Sequence, residues 1–125
     1  MILDTNALSA YLDNVGEAIE IISNARELAI PVIVAAEFAF GIAQSRHRQT
    51  YQKSLQRMLD LSTVLNIDVE TARHYAAIRL ELKTAGTPIP ANDLWIAALS
   101  RQHAIPLMSR DSHFDFVNGL RRLTW

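Results

Sequence analysis

The sequence predicts an α/β fold: a short, mostly parallel sheet of four to five strands covered by helices on both faces, in a single domain over residues 1–125. Three observations lead there. Short apolar runs of strand length alternate along the chain with longer stretches of helical periodicity. Half of the 125 residues are apolar and a fifth are charged, enough to bury a core at this length. No internal repeat, low-complexity tract or Pro/Gly/Ser-rich linker divides the chain.

Taken in order, Met1, Ile2 and Leu3 form an apolar run that ends in Asp4, the first expected strand. Residues 6–12 and 17–28 read as helices, the second turning Ile19, Ile22 and Leu28 inward. Residues 30–34 are β-branched and free of charge, as in a strand buried on both faces, and Pro31 is tolerable near a strand's start. Residues 35–44 and 47–61 are helical in pattern, the latter through Tyr51, Leu55, Met58 and Leu59. A strand over 62–67 precedes a long helix, Val69–Ala85, with Ala72, Tyr75, Ala76, Ile78 and Leu82 on its apolar side and Gly86 as its C-terminal cap. Pro88 and Pro90 impose an extended connector before an apolar helix at 92–103. A strand at 105–108, a turn around Asp111, a helical turn at 113–117 and a strand at 122–125 complete the series.

Composition narrows the function. The absence of cysteine excludes a disulfide scaffold, a thiolate zinc site and a cysteine nucleophile. No apolar run is long enough to span a bilayer, so no membrane partner and a cytoplasmic location are expected. The net charge of −1 argues against a protein that grips nucleic acid by bulk charge alone. The charge is unevenly spread, however. Residues 1–45 hold one Arg against six acids, whereas 46–58 hold Arg46, Arg48, Lys53 and Arg57 with no acid.

Four carboxylates stand where an open parallel sheet places its sites, past strand ends or at helix starts. Asp4 ends the first strand, Glu37 follows the second in a segment otherwise wholly apolar, Asp93 opens the most apolar helix, and Asp111 follows the penultimate strand. Asp4, Asp93 and Asp111 could each instead cap a helix. Glu37 resists so simple a reading: flanked by Ala36 and Phe38, with no Lys or Arg within eight residues, it needs a distant partner. Four acids at one sheet edge repel one another, and a divalent metal is the simplest thing that makes such a cluster stable. Oxygen ligands select magnesium or manganese, which can activate water and neutralise charge on a phosphodiester.

These residues carry a family likeness. The stretch from Ile2 to Leu8 around Asp4, Ala36 to Gly41 around Glu37, Gly86 to Ala98 around Asp93, and Ser109 to Phe114 with Gly119 resemble, in order, the four acidic motifs of PIN domains, within them the VapC-type ribonuclease toxins of toxin–antitoxin pairs. The resemblance implies a PIN-like three-layer sandwich and a metal-dependent endoribonuclease that hydrolyses RNA and inhibits translation or growth. It implies that Asp4 and Asp93 are the most direct ligands of Mg2+ or Mn2+, with Glu37 and Asp111 completing the shell or holding water. Thr5, Asn6 and Ser109 would orient these carboxylates, with local capping the alternative for Asn6; Asp115 is a further candidate, with an exposed acid the plainer reading. Arg46, Arg48, Lys53, Arg57 and Arg110 become candidates for the RNA backbone. His113 is read as structural, with Phe114 packing inward. A homodimer is implied, with an interface on the helices over 35–61 unless Phe38, Phe40 and Tyr51 are core. An antitoxin protein occupying the acidic groove is implied as well.

Rival readings lack residues. A receiver-like signalling domain needs paired acids near the first strand and a Lys after a late one, and a dehalogenase-type phosphatase needs an acid where Asn6 stands. The remaining alternative is a catalytically silent PIN-like scaffold that binds RNA or a partner.

Overall fold

A computed structural model describes residues 1–125. Five strands, β1 (Ile2–Leu3), β2 (Ala29–Pro31), β3 (Thr63–Leu65), β4 (Leu107–Met108) and β5 (Arg122–Leu123), form one sheet in the order β3-β2-β1-β4-β5. Every neighbouring pair is parallel. The helices are α1 (Thr5–Leu12), α2 (Gly16–Ser23), α3 (Val32–Ala43), α4 (Arg48–Asp60), α5 (Val69–Ala85) and α6 (Ala91–His103), with a 3-10 turn at Ser112–Phe116. The chain moves outward from β1 through β2 to β3, then returns to β4 on the other side of β1. Right-handed crossovers therefore put α1 to α4 on one face and α5 and α6 on the other. They also make the carboxyl ends of β1 and β4 the point where the strand order reverses, the place where such sheets bind ligands.

The centre of the sheet is dry. Ile2, Leu3, Leu107 and Met108 are fully buried, and the core is one cluster of 25 apolar residues that includes Ile30, Ile78, Leu99 and Phe114. Because β1 is only two residues long, Asp4 is reached at once, and its N–H still bonds the Met108 carbonyl at 3.3 Å.

The second strand ends at Pro31, and residues 32–34, expected to continue it, are the first turn of α3. Two causes combine. Pro31, at φ −60°, lies at the entry to the helix, and Val34 is fully buried, which outweighs the few tenths of a kcal/mol by which β-branched residues disfavour a helix. Glu37 consequently sits in the second turn of a helix. α2 stops at Ser23 rather than 28, because the following residues extend to lay β2 beside β1, with Ala29 N–H on the Met1 carbonyl at 2.9 Å.

α5 has the expected bounds. Asp68 and Thr71 close a capping box at its start, and Gly86 ends it at φ +73°. Its buried stripe is Thr71, Ile78 and Leu82 with Tyr75 partly covered; Ala72 and Ala76 face solvent, since small residues leave the packing against α6 to larger neighbours. Phe38 and Tyr51 pack on the core, but Phe40 is 69% exposed and is not a core residue.

Candidate metal centre

Asp4 is the N-cap of α1. Its Oδ1 accepts the Ala7 N–H at 2.8 Å, and the residue is 3% exposed. Capping explains one oxygen only. Burial pushes this carboxyl up to about 6; the Ser109 hydroxyl and the Ala7 N–H oppose the rise, while Asp111 and Asp93 add to it.

Neither Asp93 nor Asp111 is a side-chain cap. Asp93 lies in the first turn of α6 behind Pro90, which supplies no side-chain bond, and Asp111 precedes the 3-10 turn without bonding it through its carboxylate. Burial raises the Asp93 carboxyl, His113 opposes that rise, and Asp111 and Glu37 reinforce it. One ligand atom each from Asp93, Asp111 and His113 lies within 4.8 Å of the others, an arrangement able to hold a metal ion. His113 Nε2 approaches Asp93 Oδ2 at 2.9 Å, so this imidazole, read from the sequence as structural, belongs to the cluster. Its placement two residues beyond Asp111, on a tight turn, is the signal that could have found it. Phe114 is fully buried, as expected.

The neighbouring polar side chains hold the acids. Thr5 Oγ1 donates to Glu37 Oε2 at 2.6 Å, and Asn92 Nδ2 donates to Glu37 Oε1. The partner Glu37 lacks in sequence is thus a pair of neutral donors rather than a cation. Asn92, the residue before Asp93, is not among the site residues expected from the sequence. Asn6 Nδ2 donates to Asp111 Oδ2 at 3.1 Å, which replaces the local capping considered for Asn6. The Ser109 hydroxyl accepts the Asp111 N–H at 3.0 Å.

Asp115 stands apart. Both its oxygens accept from Arg122 at 2.8 Å, and this pair holds its carboxyl below the usual range. Arg46, Arg48, Lys53 and Arg57, on or just before α4, are exposed and form no ion pair; Gln49, Thr50, Lys53, Ser54 and Arg57 line one polar hollow. The exposed Arg110 rests its guanidinium 4.9 Å from the Trp125 ring centre. Beside Glu37, Thr5, Ser9, Asp13, Phe38 and Tyr51 help to line a groove of about 280 Å³ that contains no basic residue. No helix is long and apolar enough to cross a membrane.

The protein-family model described as PIN domain matches residues 1–120. Ribonuclease VapC5 of Mycobacterium tuberculosis is 32% identical over 95 residues, covering 74% of this chain and 70% of that protein. Toxin FitB of Neisseria gonorrhoeae is 30% identical over 97 residues, 73% of this chain and 70% of its own. The solved structure of VapBC-1 from nontypeable Haemophilus influenzae superposes with a TM-score of 0.87 at 26% identity, covering 99% of this chain and 96% of that one.

Proposed function

This chain belongs to the PIN-domain family, and from that premise we propose that it is a divalent-metal-dependent endoribonuclease, the toxin of a toxin–antitoxin pair. One observation carries the reading. Four carboxylates from four separate elements converge where the strand order reverses, and no Lys or Arg is paired with any of them. A cluster whose burial raises Asp4 and Asp93 is held ionised most simply by a hard cation, and the oxygen donors fit Mg2+ or Mn2+.

In this reading Asp4, Asp93 and Asp111 hold the ion, with Glu37 completing the shell and His113 beside Asp93. When bound, the ion supplies Lewis-acid stabilisation of charge on the phosphodiester and a water activated for attack. The protein supplies fixed geometry. Thr5 and Asn92 grip one oxygen each of Glu37, Asn6 fixes Asp111, and the Ala7 N–H orients Asp4, so the carboxylates need little reorganisation during reaction. Arg46, Arg48, Lys53, Arg57 and Arg110 would neutralise RNA phosphates around this acidic centre. An antitoxin segment carrying a cation would fit the groove beside Glu37, whose lining is acidic. The exposed apolar face of α3 at Phe40 would serve a homodimer.

The test incubates antitoxin-free protein with total cellular RNA, with Mg2+ or Mn2+, with EDTA, and as Asp93→Asn. Discrete cleavage lost under both EDTA and substitution supports the proposal. Absence of cleavage from folded protein with either metal overturns it in favour of a binding scaffold.

A further inference from the structure

A second cavity shares the first turn of α6 with Asp93 and carries the opposite charge. It measures about 320 Å³ and lies between the C-terminal half of α5 and the start of α6. Tyr75, Arg79 and Lys83 form one wall, spaced four residues apart and so aligned on one face of α5. Ile89, Ala91 and Leu94 form part of the other, and Ala91 and Leu94 share the first turn of α6 with Asp93. No acid lines it. Arg73, Arg101 and Arg122 are the Lys and Arg side chains bound in ion pairs, which leaves Arg79 and Lys83 uncompensated.

The wall is also ordered. Tyr75 stacks on Trp95 at 4.1 Å between ring centres, and Arg79 Nη1 donates to the Tyr75 hydroxyl at 3.2 Å. A guanidinium held in this way loses little rotamer freedom when it takes a ligand. The groove beyond Glu37, lined by acids, repels phosphate. Resting on the nuclease reading above, we propose that this cavity is an RNA subsite: Arg79 and Lys83 bind the phosphates of a single-stranded segment flanking the bond to be cut, and Tyr75 and Ile89 pack its sugar or base. The substrate would thus run out of the metal centre along α5, with a polarity that the acidic groove on the opposite side enforces.

The experiment measures binding of a mixed-sequence, fluorescein-labelled single-stranded RNA in EDTA, over a range of salt, so that catalysis is not needed. Arg79→Gln/Lys83→Gln is compared with the parent and with Arg73→Gln, a cation on the same helix that is already ion-paired. Melting temperature confirms folding. Two lost phosphate contacts predict that the slope of log affinity against log salt shrinks by about 1.4, with affinity about tenfold weaker at low salt. With Mg2+ the double variant should raise KM and leave kcat unchanged. A slope and affinity equal to the parent's, or the same loss in Arg73→Gln, would overturn the subsite. Parent protein that binds RNA with the predicted slope difference but never cleaves would uphold the subsite and sink the nuclease reading. Parent protein that binds no RNA in EDTA overturns the subsite, while the nuclease reading still rests on cleavage with Mg2+ or Mn2+.

Discussion

His113 Nε2 stands 2.9 Å from Asp93 Oδ2, although twenty residues and a strand separate them. The contact joins the first turn of α6 to the turn after β4, and so sets the imidazole against a carboxylate of the candidate centre. His113→Asn should weaken Mn2+ affinity about tenfold, the usual effect of removing a group that holds or orients a ligand. Titration calorimetry on the folded variant checks this. Unchanged affinity would reduce the imidazole to a packing role.

Asp4 makes the metal-free protein sensitive to pH in an unusual direction. Its folded carboxyl is raised from 3.8 to about 6, so between these values the folded state binds more protons than the unfolded state. Stability in EDTA should therefore fall as pH rises from about 4 to about 6, by up to about 3 kcal/mol from this group. Asp93 shifts in the same direction. Asp115 is lowered by Arg122, and the stability it adds is lost only below that window. Asp4→Asn, which can still cap α1, should be more stable than the parent at pH 7 without metal and should flatten the profile. Urea unfolding at pH 4.5 and 7.5 tests it. A parent protein that gains stability across that range would contradict the reading.

Thr5 holds Glu37 at 2.6 Å from the first residue of α1. Thr5→Val keeps the shape and removes the donor. Cleavage of a defined RNA should drop about 10- to 100-fold while the melting temperature changes little. Equal activity would show that Asn92 alone suffices.

Thr71 is fully buried, closes the capping box with Asp68 and donates to Gln102 Oε1 at 2.6 Å. Thr71→Val removes the hydroxyl's bonds to Asp68 and Gln102 at the packed start of α5 and keeps its backbone N–H on the Asp68 carboxylate. Denaturant unfolding should show a loss of about 1–2 kcal/mol. The carboxylate cluster lies at the other end of α5, and RNA cleavage at 25 °C should be retained.

Phe40 is 69% exposed on a helix whose only charged residue is Glu37. Under the proposed homodimer, Phe40→Glu should leave a monomer of about 14.0 kDa in light scattering. A dimer that survives the change would move the interface elsewhere.

The elements that the sequence marks twice are the ones it places best. α5 is bounded by an Asp that caps and a Gly that terminates, and both bounds agree with the expectation. Residues 30–34 carry only β-branched character, which a buried helix turn tolerates equally well, so the expected strand overruns into the first turn of α3. The acids were legible because a carboxylate among apolar neighbours is a local anomaly. What holds them was less so. Asn92 reaches Glu37 across 55 positions and Asn6 reaches Asp111 across 105, and no local pattern encodes a pairing that the sheet order alone creates.

The position of β1 also sets a timetable. Asp4 and its strand precede the rest of the sheet along the chain, but β1 is a central strand whose partner β4 begins at Leu107. At about 5–20 residues per second, the ribosome takes roughly 5–20 s to reach it. Until then one side of β1 is an open edge, and Asp4 has no Asp111 beside it. A nascent chain of this kind cannot cleave RNA while most of it is still being made, and any truncation before Leu107 leaves the centre unassembled.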